Sequence, residues 1–188
     1  MSQCTPNCDG KECGHDGCGG VCGSCPPEKN TCVAGICVAP CTDCVLSGKV
    51  YAPEGTIPVA GALVYLTKTP PEPIPQEVFC DVCIDLPFGT PVAATDASGN
   101  FEFNVQTTGD WHVVVQKGTF RRVRPITITG GAQTIPKADT TLPSKTDQAN
   151  GDEIPKIAVV PDSFDNIENT LAKLGLGDID FNGNLNTG

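Results

Sequence analysis

The sequence contains few aromatic residues and few histidines. Its 188 residues include one Trp, two Tyr and two His, so the core has to be built mostly from Val, Ile and Leu. The two histidines, His15 and His112, lie in unrelated segments, and neither a Ser-His-Asp order nor a pocket-forming pair of carboxylates accompanies them. Because acid–base and nucleophilic catalysis need such groups close together, we predict that the chain is not an enzyme.

Positive charge and long apolar segments are also scarce. The sum of Lys and Arg is 12 against 22 for Asp and Glu, which gives a net charge of −10. This charge repels phosphate backbones and disfavours nucleic acid as a partner. No run approaches the roughly 20 apolar residues of a membrane-spanning helix, and residues 1–4 lack the apolar core of a signal peptide. If the protein is exported, we expect a leader that has been removed or a different signal.

Cysteine, by contrast, is abundant, with 12 residues in all. In residues 4–44 the spacing Cys-x4-Cys-x3-Cys-x2-Cys that starts at Cys13 recurs from Cys32, 19 residues later. An even number of cysteines in a segment with almost no apolar residues is typical of a disulfide framework made in an oxidising, extracellular compartment. We therefore predict a disulfide-rich N-terminal segment at 1–43 and disulfide bonds for all the cysteines: Cys4, Cys8, Cys13, Cys18, Cys22, Cys25, Cys32, Cys37, Cys41, Cys44, Cys80 and Cys83.

Two questions about the cysteines stay open. The C-x-x-C units at 22–25, 41–44 and 80–83 would indicate a zinc site in a reducing compartment, with His15 as a further ligand. The disulfide partners are open as well. The unit at 80–83 could close a ring by itself, bond to the unit at 41–44, or bond to the first two cysteines of the chain, and spacing alone does not decide.

The middle of the chain shows the alternation of polar and apolar residues that half-buried strands require. Phe101, Phe103 and Val105 fall on one face of a strand, and Trp111 is the natural core anchor of the next. His112 then points to the other face as a surface residue. The pattern predicts a mainly β fold, an immunoglobulin- or transthyretin-like sandwich of seven strands, within residues 44–143 at 45–51, 62–68, 91–95, 100–105, 111–117, 120–129 and 138–142.

Three segments in this region carry a resemblance to a known family. They are Ser47-Gly-Lys-Val50, Gly55-x-x-Pro58-Val-x-Gly61-Ala-x-Val64 and Thr95-Asp-x-x-Gly99-x-Phe101-x-Phe103. Their turn glycines and core positions resemble those of the carboxypeptidase regulatory-like domain. The resemblance covers about half of the chain and implies a transthyretin-like sandwich of seven strands in a secreted setting. It implies no catalytic residues, because the module has none of its own.

Arg121, Arg122 and Arg124 form the basic cluster of the sequence. Because alternate residues of a strand share a face, Arg122 and Arg124 are predicted to lie together, where they could grip a carboxylate or a sulfate group. The alternative is a solvated edge whose charges prevent pairing with another sheet.

The C-terminal part is predicted to be an attachment to the sandwich. Residues 144–153 are polar and acidic, as in a linker, and residues 154–160 are predicted to form a strand. A helix follows, capped by Asp162 and ended by Gly175. One strand and one helix cannot form a core alone. We therefore expect the tail, residues 154–188, to dock on the sandwich, on another subunit or on a further domain. An apolar strand beyond a linker suits β-augmentation of a neighbouring subunit.

The end of the chain contains a calcium-loop pattern. Asp178, Asp180, Asn182 and Asn184 alternate along the sequence, with a glycine at the position where an EF-hand loop bends. Ca²⁺ is the one cofactor that the sequence suggests. The other interpretation is a polar segment that binds no ion.

These patterns together predict a non-enzymatic secreted or cell-surface module with a structural or adhesive role. Its tail would dock on a neighbouring subunit, which makes protein the expected partner. The alternative is a carbohydrate- or protein-binding accessory module of a larger exported protein. Carbohydrate binding would need an exposed aromatic platform, for which Tyr51 and Tyr65 are the candidates.

Overall fold

The computed structural model describes residues 4–33, 35–75, 86, 89–159, 166–179 and 185–186. As predicted, the chain is mainly β with a disulfide-rich N-terminal segment. The described strands are β1 (Thr31–Val33), β2 (Ile36–Val38), β3 (Pro40–Lys49), β4 (Leu63–Thr67), β5 (Val92–Ala94), β6 (Asn100–Thr107), β7 (Gly109–Lys117), β8 (Phe120–Ile128), β9 (Ala132–Thr134), β10 (Asp152–Glu153), β11 (Asp178–Ile179) and β12 (Leu185–Asn186). The helices are α1 (Lys137–Thr140) and α2 (Ile167–Lys173), with 3-10 turns at Pro27–Lys29 and Gln148–Asn150. In the described ranges, no helix is both long enough and apolar enough to span a bilayer.

Residues 4–38 form a disulfide head that is cross-linked more than it is packed. β1 and β2 pair as an antiparallel hairpin in which Cys32 and Cys37 lie opposite each other, yet each is bonded to an earlier cysteine. Within the described part of this segment, the buried residues are Cys13, Cys37 and Val38. Bridges that restrict the unfolded chain therefore replace apolar burial here. The four bridges of the head are Cys4–Cys18, Cys8–Cys22, Cys13–Cys32 and Cys25–Cys37.

Two sheets follow the head almost without a connection, because Ala39 alone separates β2 from β3. β3 is the central strand of a three-stranded sheet of order β6-β3-β9, antiparallel to β6 and parallel to β9. The second sheet has the order β10-β8-β7-β4-β5. A fifth bridge, Cys41–Cys44, closes within β3, where the register with β6 shifts between Pro40 and Cys44.

The two sheets contribute to one core. Burial alternates residue by residue along β6, so that Phe101, Phe103 and Val105 are buried as predicted while their neighbours are exposed. Trp111 is only 4% exposed and confirms the predicted core anchor. Because side chains in a strand have a period of two, a slip of one residue would turn this whole face to water. The other members of the core are Cys44, Leu46, Val50, Ala62, Val64, Leu66, Val113, Val115, Ile128, Ile135 and Leu142.

The reversal between β5 and β6 has the predicted turn chemistry. Gly99 adopts φ +78°, and a Cβ at this position would lie 2.8 Å from the carbonyl oxygen of Val50. Asp96 Oδ1 accepts hydrogen bonds from the backbone N–H groups of Ser98 and Asn100, each at 2.8 Å. The bonds from Asn100 above all hold the pKa of Asp96 below its usual value. Glycine is required here because other residues are strained in the left-handed region.

Two short elements differ from the prediction. Residues 138–142, which were predicted to be a strand, contain helix α1, which begins after Pro136. The hydroxyl of the buried Thr140 donates to the carbonyl oxygen of Lys49 at 2.7 Å and fixes this turn against β3. β9 was not predicted and pairs with β3 in parallel. Such short elements form because tertiary contacts override local preference, and the strand set therefore differs from the predicted seven.

The start of the tail also differs from the prediction. The strand of this region is β10, which lies inside the predicted linker and pairs with β8. Residues 154–159, predicted to be part of a strand, belong to no described ladder. Pro155 contributes to this outcome because proline has no N–H group to donate to a ladder. The polar segment 144–153 is therefore part of a sheet edge in its last two residues, and not a linker throughout.

The predicted tail helix is present as α2, and the residues just after it contact the β3–β4 connection. It begins at Ile167, whereas the predicted cap Asp162 lies outside the described residues. Gly175 follows the helix with φ +77°, and a Cβ on it would lie 2.8 Å from the backbone nitrogen of Glu54. The end of α2 thus packs against the β3–β4 connection.

Candidate functional site

A group of charged side chains lies where β10 pairs with β8. Arg122 is directly opposite Asp152, and Arg121 is directly opposite Glu153. Arg124 lies two residues along β8 on the same face as Arg122. We call these five residues the arginine cluster. Opposite charges that face each other across two strands stabilise the pairing, so β10 is held at this edge by charge as well as by its backbone.

The inner part of the arginine cluster is a buried ion pair. The side chains of Arg121 and Glu153 are only 9% and 3% exposed, and Arg121 Nε donates to Glu153 Oε2 at 2.7 Å. A buried charge is tolerated when it is paired and its remaining hydrogen bonds are satisfied. Here Gln148 Nε2 also donates to Glu153 Oε1, at 3.0 Å.

The same ion pair fastens a proline-rich strap, residues 70–75, to the sheet. Arg121 Nη2 donates to the carbonyl oxygen of Glu72 at 2.6 Å, and the N–H of Ile74 donates to Glu153 Oε1 at 2.5 Å. Gln148 Nε2 donates to the carbonyl oxygen of Ile74 at 3.0 Å. The strap therefore contacts β8, β10 and the turn before β10 through one set of charged and amide groups.

The outer part of the arginine cluster is centred on Asp152. Arg122 binds it in a bidentate manner, with Nε to Oδ1 and Nη2 to Oδ2 both at 2.9 Å. Arg124 Nη2 adds a bond to Oδ2 at 2.8 Å. Burial alone would raise the pKa of Asp152, but the hydrogen bonds and charges of Arg122 and Arg124 outweigh it and hold the pKa below its usual value. Asp152 is therefore a carboxylate at neutral pH.

These contacts show where the structure places the predicted basic residues. Arg122 and Arg124 share a face as expected, and the carboxylate that they hold is Asp152 of the same chain. Their side chains are 15% and 22% exposed, so the solvated-edge alternative does not describe them. A grip on an external ligand stays a prediction. Sequence reasoning missed both acidic partners, although an adjacent Asp-Glu and an adjacent Arg-Arg can pair in register on two antiparallel strands.

A cleft of about 760 Å³ lies between the strap, β8 and the turn before β10. His112 of β7 lines it, opposite Pro125 of β8. The predicted surface position of His112 is thus only partly right, since the residue is half-buried. Its Nδ1 is buried and has no hydrogen-bond partner among the residues that the structure describes. A ligand with a donor or acceptor group could satisfy this atom, but the arginines beside it are already bound to carboxylates.

The cysteines of the head offer no metal site in this state. The sulfur atoms of Cys13, Cys25 and Cys37 lie within 4.8 Å of one another, but all three are in disulfides. The zinc alternatives that use 22–25 and 41–44 are wrong for the same reason. His15 pairs instead with Val21 through a backbone bridge.

The structure excludes two of the three disulfide partners that the sequence left open for the unit at 80–83. Cys41 and Cys44 bond to each other within β3, and the first two cysteines of the chain bond within the head. None of these four is available to Cys80 or Cys83. The unit 80–83 itself lies outside the described residues, so its predicted disulfide stays a prediction.

The calcium hypothesis falls mostly outside the described residues. Asp178 begins β11, which pairs with β12 so that Asp178 lies opposite Asn186. Asp180, Asn182 and Asn184 belong to the connection between these strands, which the structure does not describe. Calcium binding therefore stays a prediction.

The tyrosine and tryptophan residues of the chain form no open platform. Tyr65 is 3% exposed, and the ring of Tyr51 is flanked by Lys49 and Lys137, whose Nζ atoms lie 5.6 and 4.7 Å from its centroid. Lys68 Nζ lies 3.8 Å from the ring centroid of Trp111, and burial lowers the pKa of Lys68. These cations occupy the ring faces that a sugar would otherwise stack on.

Comparison with known proteins adds no family to this description. A scan against protein-family models found no match, and a search of curated proteins found none either. The carboxypeptidase regulatory-like resemblance therefore stays a prediction, and the functional argument depends on the molecule itself.

Proposed function

We propose that this chain is a non-enzymatic structural module, exported from the cell, that assembles with a neighbouring subunit through its C-terminal tail. Five described disulfides support the extracellular setting, because such bridges persist in oxidising compartments. The fold of the sheets is proposed to be the transthyretin-like sandwich that the sequence suggests.

The observation that carries the non-enzymatic part is the arginine cluster. Each of its three arginines binds a carboxylate of the same chain, and both carboxylates have two or more donors. Groups engaged in this way are held in place and neutralised, which suits a clamp between two strands and a strap. Catalysis would instead need at least one such group free to meet a substrate.

The observation that carries assembly is the exposed apolar surface of the tail. Ile157 is 45% exposed and Ile167 of α2 is 46% exposed, and no residue of α2 is buried. An amphipathic helix and an apolar segment of this kind are stable when a partner covers them. The buried Leu176, just beyond α2, anchors this part of the tail.

Sedimentation velocity of the full chain tests the proposal. Wild-type protein is expected to form larger species as its concentration rises, and Ile157→Asp is expected to remain a single subunit because it places a charge in the contact. Val21→Asp is the matched control, since Val21 is 70% exposed but lies in the head, and it should assemble normally. A wild-type chain that stays monomeric at every concentration would contradict the proposal.

The cleft beside His112 supports a second candidate, a binding accessory module of a larger exported protein. Its volume and the Nδ1 atom that no described group bonds favour a small polar ligand or a peptide loop over a glycan, because the Tyr and Trp rings of the chain are covered. Binding of a peptide or glycan from a defined panel by the wild type, with loss in His112→Phe, would favour this candidate. Equal binding by the two proteins would count against it.

A further inference from the structure

The strand β6 is an open edge of the three-stranded sheet. In the part of the chain that the structure describes, its hydrogen-bonded neighbour is β3 on one side only. Val45 and Ser47 of β3 make their backbone hydrogen bonds on the β9 side, at 3.2 and 2.9 Å. Because successive residues of a strand direct their N–H and C=O groups to opposite sides, the alternate residues of β3, which lie opposite Phe101 and Phe103, bond to β6.

This register determines which backbone groups of β6 are open. Phe101 and Phe103 are turned to β3, so Glu102, Asn104 and Gln106 direct their N–H and C=O groups away from the sheet. Their side chains are exposed in the same alternating pattern. The edge therefore offers a regular row of donors and acceptors along an eight-residue strand, which is the template that a further strand needs.

A groove of about 340 Å³ with both apolar and polar lining residues runs beside this open edge. It lies between β6 and the start of β5, and Phe103, Val105, Trp111 and Val92 line it. A strand added to β6 would alternate its side chains. One set would enter this groove between the two sheets, and the other set would lie beside the polar face of β6.

The tail offers a segment that fits this acceptor. Residues 154–159 follow β10 directly, are rich in apolar side chains and belong to no described ladder. Ile157 is exposed to 45% in spite of its size. The segment therefore has the composition of a buried strand, although part of it is exposed in the subunit.

The geometry of the sheets argues against residues 154–159 of the same chain as the donor. β10 and β5 are the two outer strands of the five-stranded sheet, and β6 contacts β5. Four inter-strand spacings separate β10 from β5, or about 19 Å. Residues 154–159 span about 20 Å when fully extended, so within one chain they would be used up in crossing the sheet and none would remain to pair with β6.

We propose that the open edge of β6 accepts residues 154–159 of a second copy as an added strand. The inference rests on the proposed function and adds the acceptor that the tail binds. Donor and acceptor lie on different surfaces of the subunit, so each copy can give one strand and receive one. Such a head-to-tail contact is heterologous, so it extends into a filament unless its rotation closes a ring.

Two complementary variants test the pairing. Asn104→Pro removes one open N–H of β6, and the fold should persist because proline is tolerated where an edge N–H faces solvent. Ile157→Asp disables the donor. Each variant alone is expected to sediment as one subunit, and an equal mixture is expected to form a complex of two, because one variant keeps its donor and the other keeps its acceptor. Asn104→Thr, which keeps the N–H, should assemble like the wild type.

The outcomes distinguish a failure of the β6 acceptor from a failure of the proposed tail-driven assembly. If Asn104→Pro assembles like the wild type, or if the mixture forms no complex, the β6 acceptor is wrong while tail-driven assembly stands. If the wild type itself stays monomeric, the proposed function fails first. Circular dichroism and thermal unfolding verify that each variant is folded.

Hydrogen exchange measures the protection of individual β6 amides and so tests the proposed pairing residue by residue. On assembly, the amides of Glu102, Asn104 and Gln106 are expected to become protected, whereas those of Phe101 and Phe103 are already protected in the isolated subunit. Protection that is unchanged at all three outward amides of an assembled sample would overturn the proposal.

Discussion

The head and the two sheets are neighbours in the chain but are stabilised in opposite ways. The head, residues 4–38, has four disulfides and few buried residues, whereas the sheets have a shared apolar core and a single bridge that closes over three residues in β3. No described bridge joins the two regions. Covalent cross-links thus stabilise the head, where little apolar surface is buried, and core packing stabilises the sheets.

The contrast extends to charge. In the sheets, the buried ion pair Arg121–Glu153 joins β8 to β10, and both residues also bind the strap. Polar interactions therefore stabilise this region together with the apolar core. In the head, carboxylates bind backbone groups instead: Glu12 accepts a hydrogen bond from the N–H of Cys37 at 2.9 Å, and Asp16 accepts from Cys18 and Gly20 at 2.8 Å. Electrostatic links matter most where they are removed from water, and they should therefore be costly to break only in the sheets.

Reduction of the disulfides should produce the largest difference in stability between the head and the sheets. Each bridge contributes about 2–4 kcal/mol, and the head has four with almost no core, so it should unfold completely on reduction. The sheets should remain folded. Amide exchange measured separately for residues 4–38 and 40–153 checks this, with the oxidised protein as control. Amide protection that survives in the reduced head would show that burial supports it after all.

The next largest effect is expected from Glu153→Ala. The variant leaves the guanidinium of Arg121 buried without a counter-charge, and the free energy of unfolding of the sheets should fall by about 3–5 kcal/mol. Urea denaturation measures the change. Glu102→Ala is the matched control, because Glu102 is exposed on β6, and it should change stability by no more than about 0.5 kcal/mol. Equal effects of the two variants would contradict the assignment.

A smaller loss is expected from Gly99→Ala in the turn before β6. The left-handed backbone costs a residue with a Cβ about 1–2 kcal/mol, and the close approach to Val50 adds to this cost. Gly118→Ala is the control, because that turn is also left-handed but has open space around it. Thermal unfolding should show a larger loss for Gly99→Ala, and an equal loss in both would mean that the contact with Val50 is unimportant.

The smallest effect is expected from the titration of Asp152. Its pKa is lowered in the folded state, so its contribution to stability is present above the usual Asp value of about 3.9 and is lost as pH falls through the lower folded pKa. Denaturation curves from neutral pH to acid should show this loss in the wild type. In Asp152→Asn the corresponding part of the pH dependence should disappear. An unchanged profile in that variant would mean that other carboxylates account for the acid sensitivity.

The sequence predicted well those features that local rules determine. The alternation in β6, the core position of Trp111 and the glycine of the Asp96–Gly99 turn each follow from side-chain period or backbone sterics within a few residues. The disulfide chemistry of the head followed from composition. The pairing of its cysteines did not, because many connectivities are compatible with one spacing.

What the sequence did not predict depends on distant partners. β9 and α1 are short, and contacts with β3 fix both of them. The hydrogen bond from Thr140 of α1 to Lys49 of β3, for example, joins residues about 90 positions apart in the sequence. β10 looked like a linker because Asp152 and Glu153 are polar, and their burial follows only from their register with the arginines of β8. The sequence therefore predicted the three arginines of the arginine cluster but not the two carboxylates that bind them.

The short connection between the head and the sheets has a mechanical consequence. A load applied to the head would be transmitted through Ala39 straight along β3, which is bonded to β6 on one side and β9 on the other. The ladder bonds on both flanks would then be sheared together and not opened one at a time. A subunit connected in this way should resist pulling from its N-terminal side better than its modest size suggests.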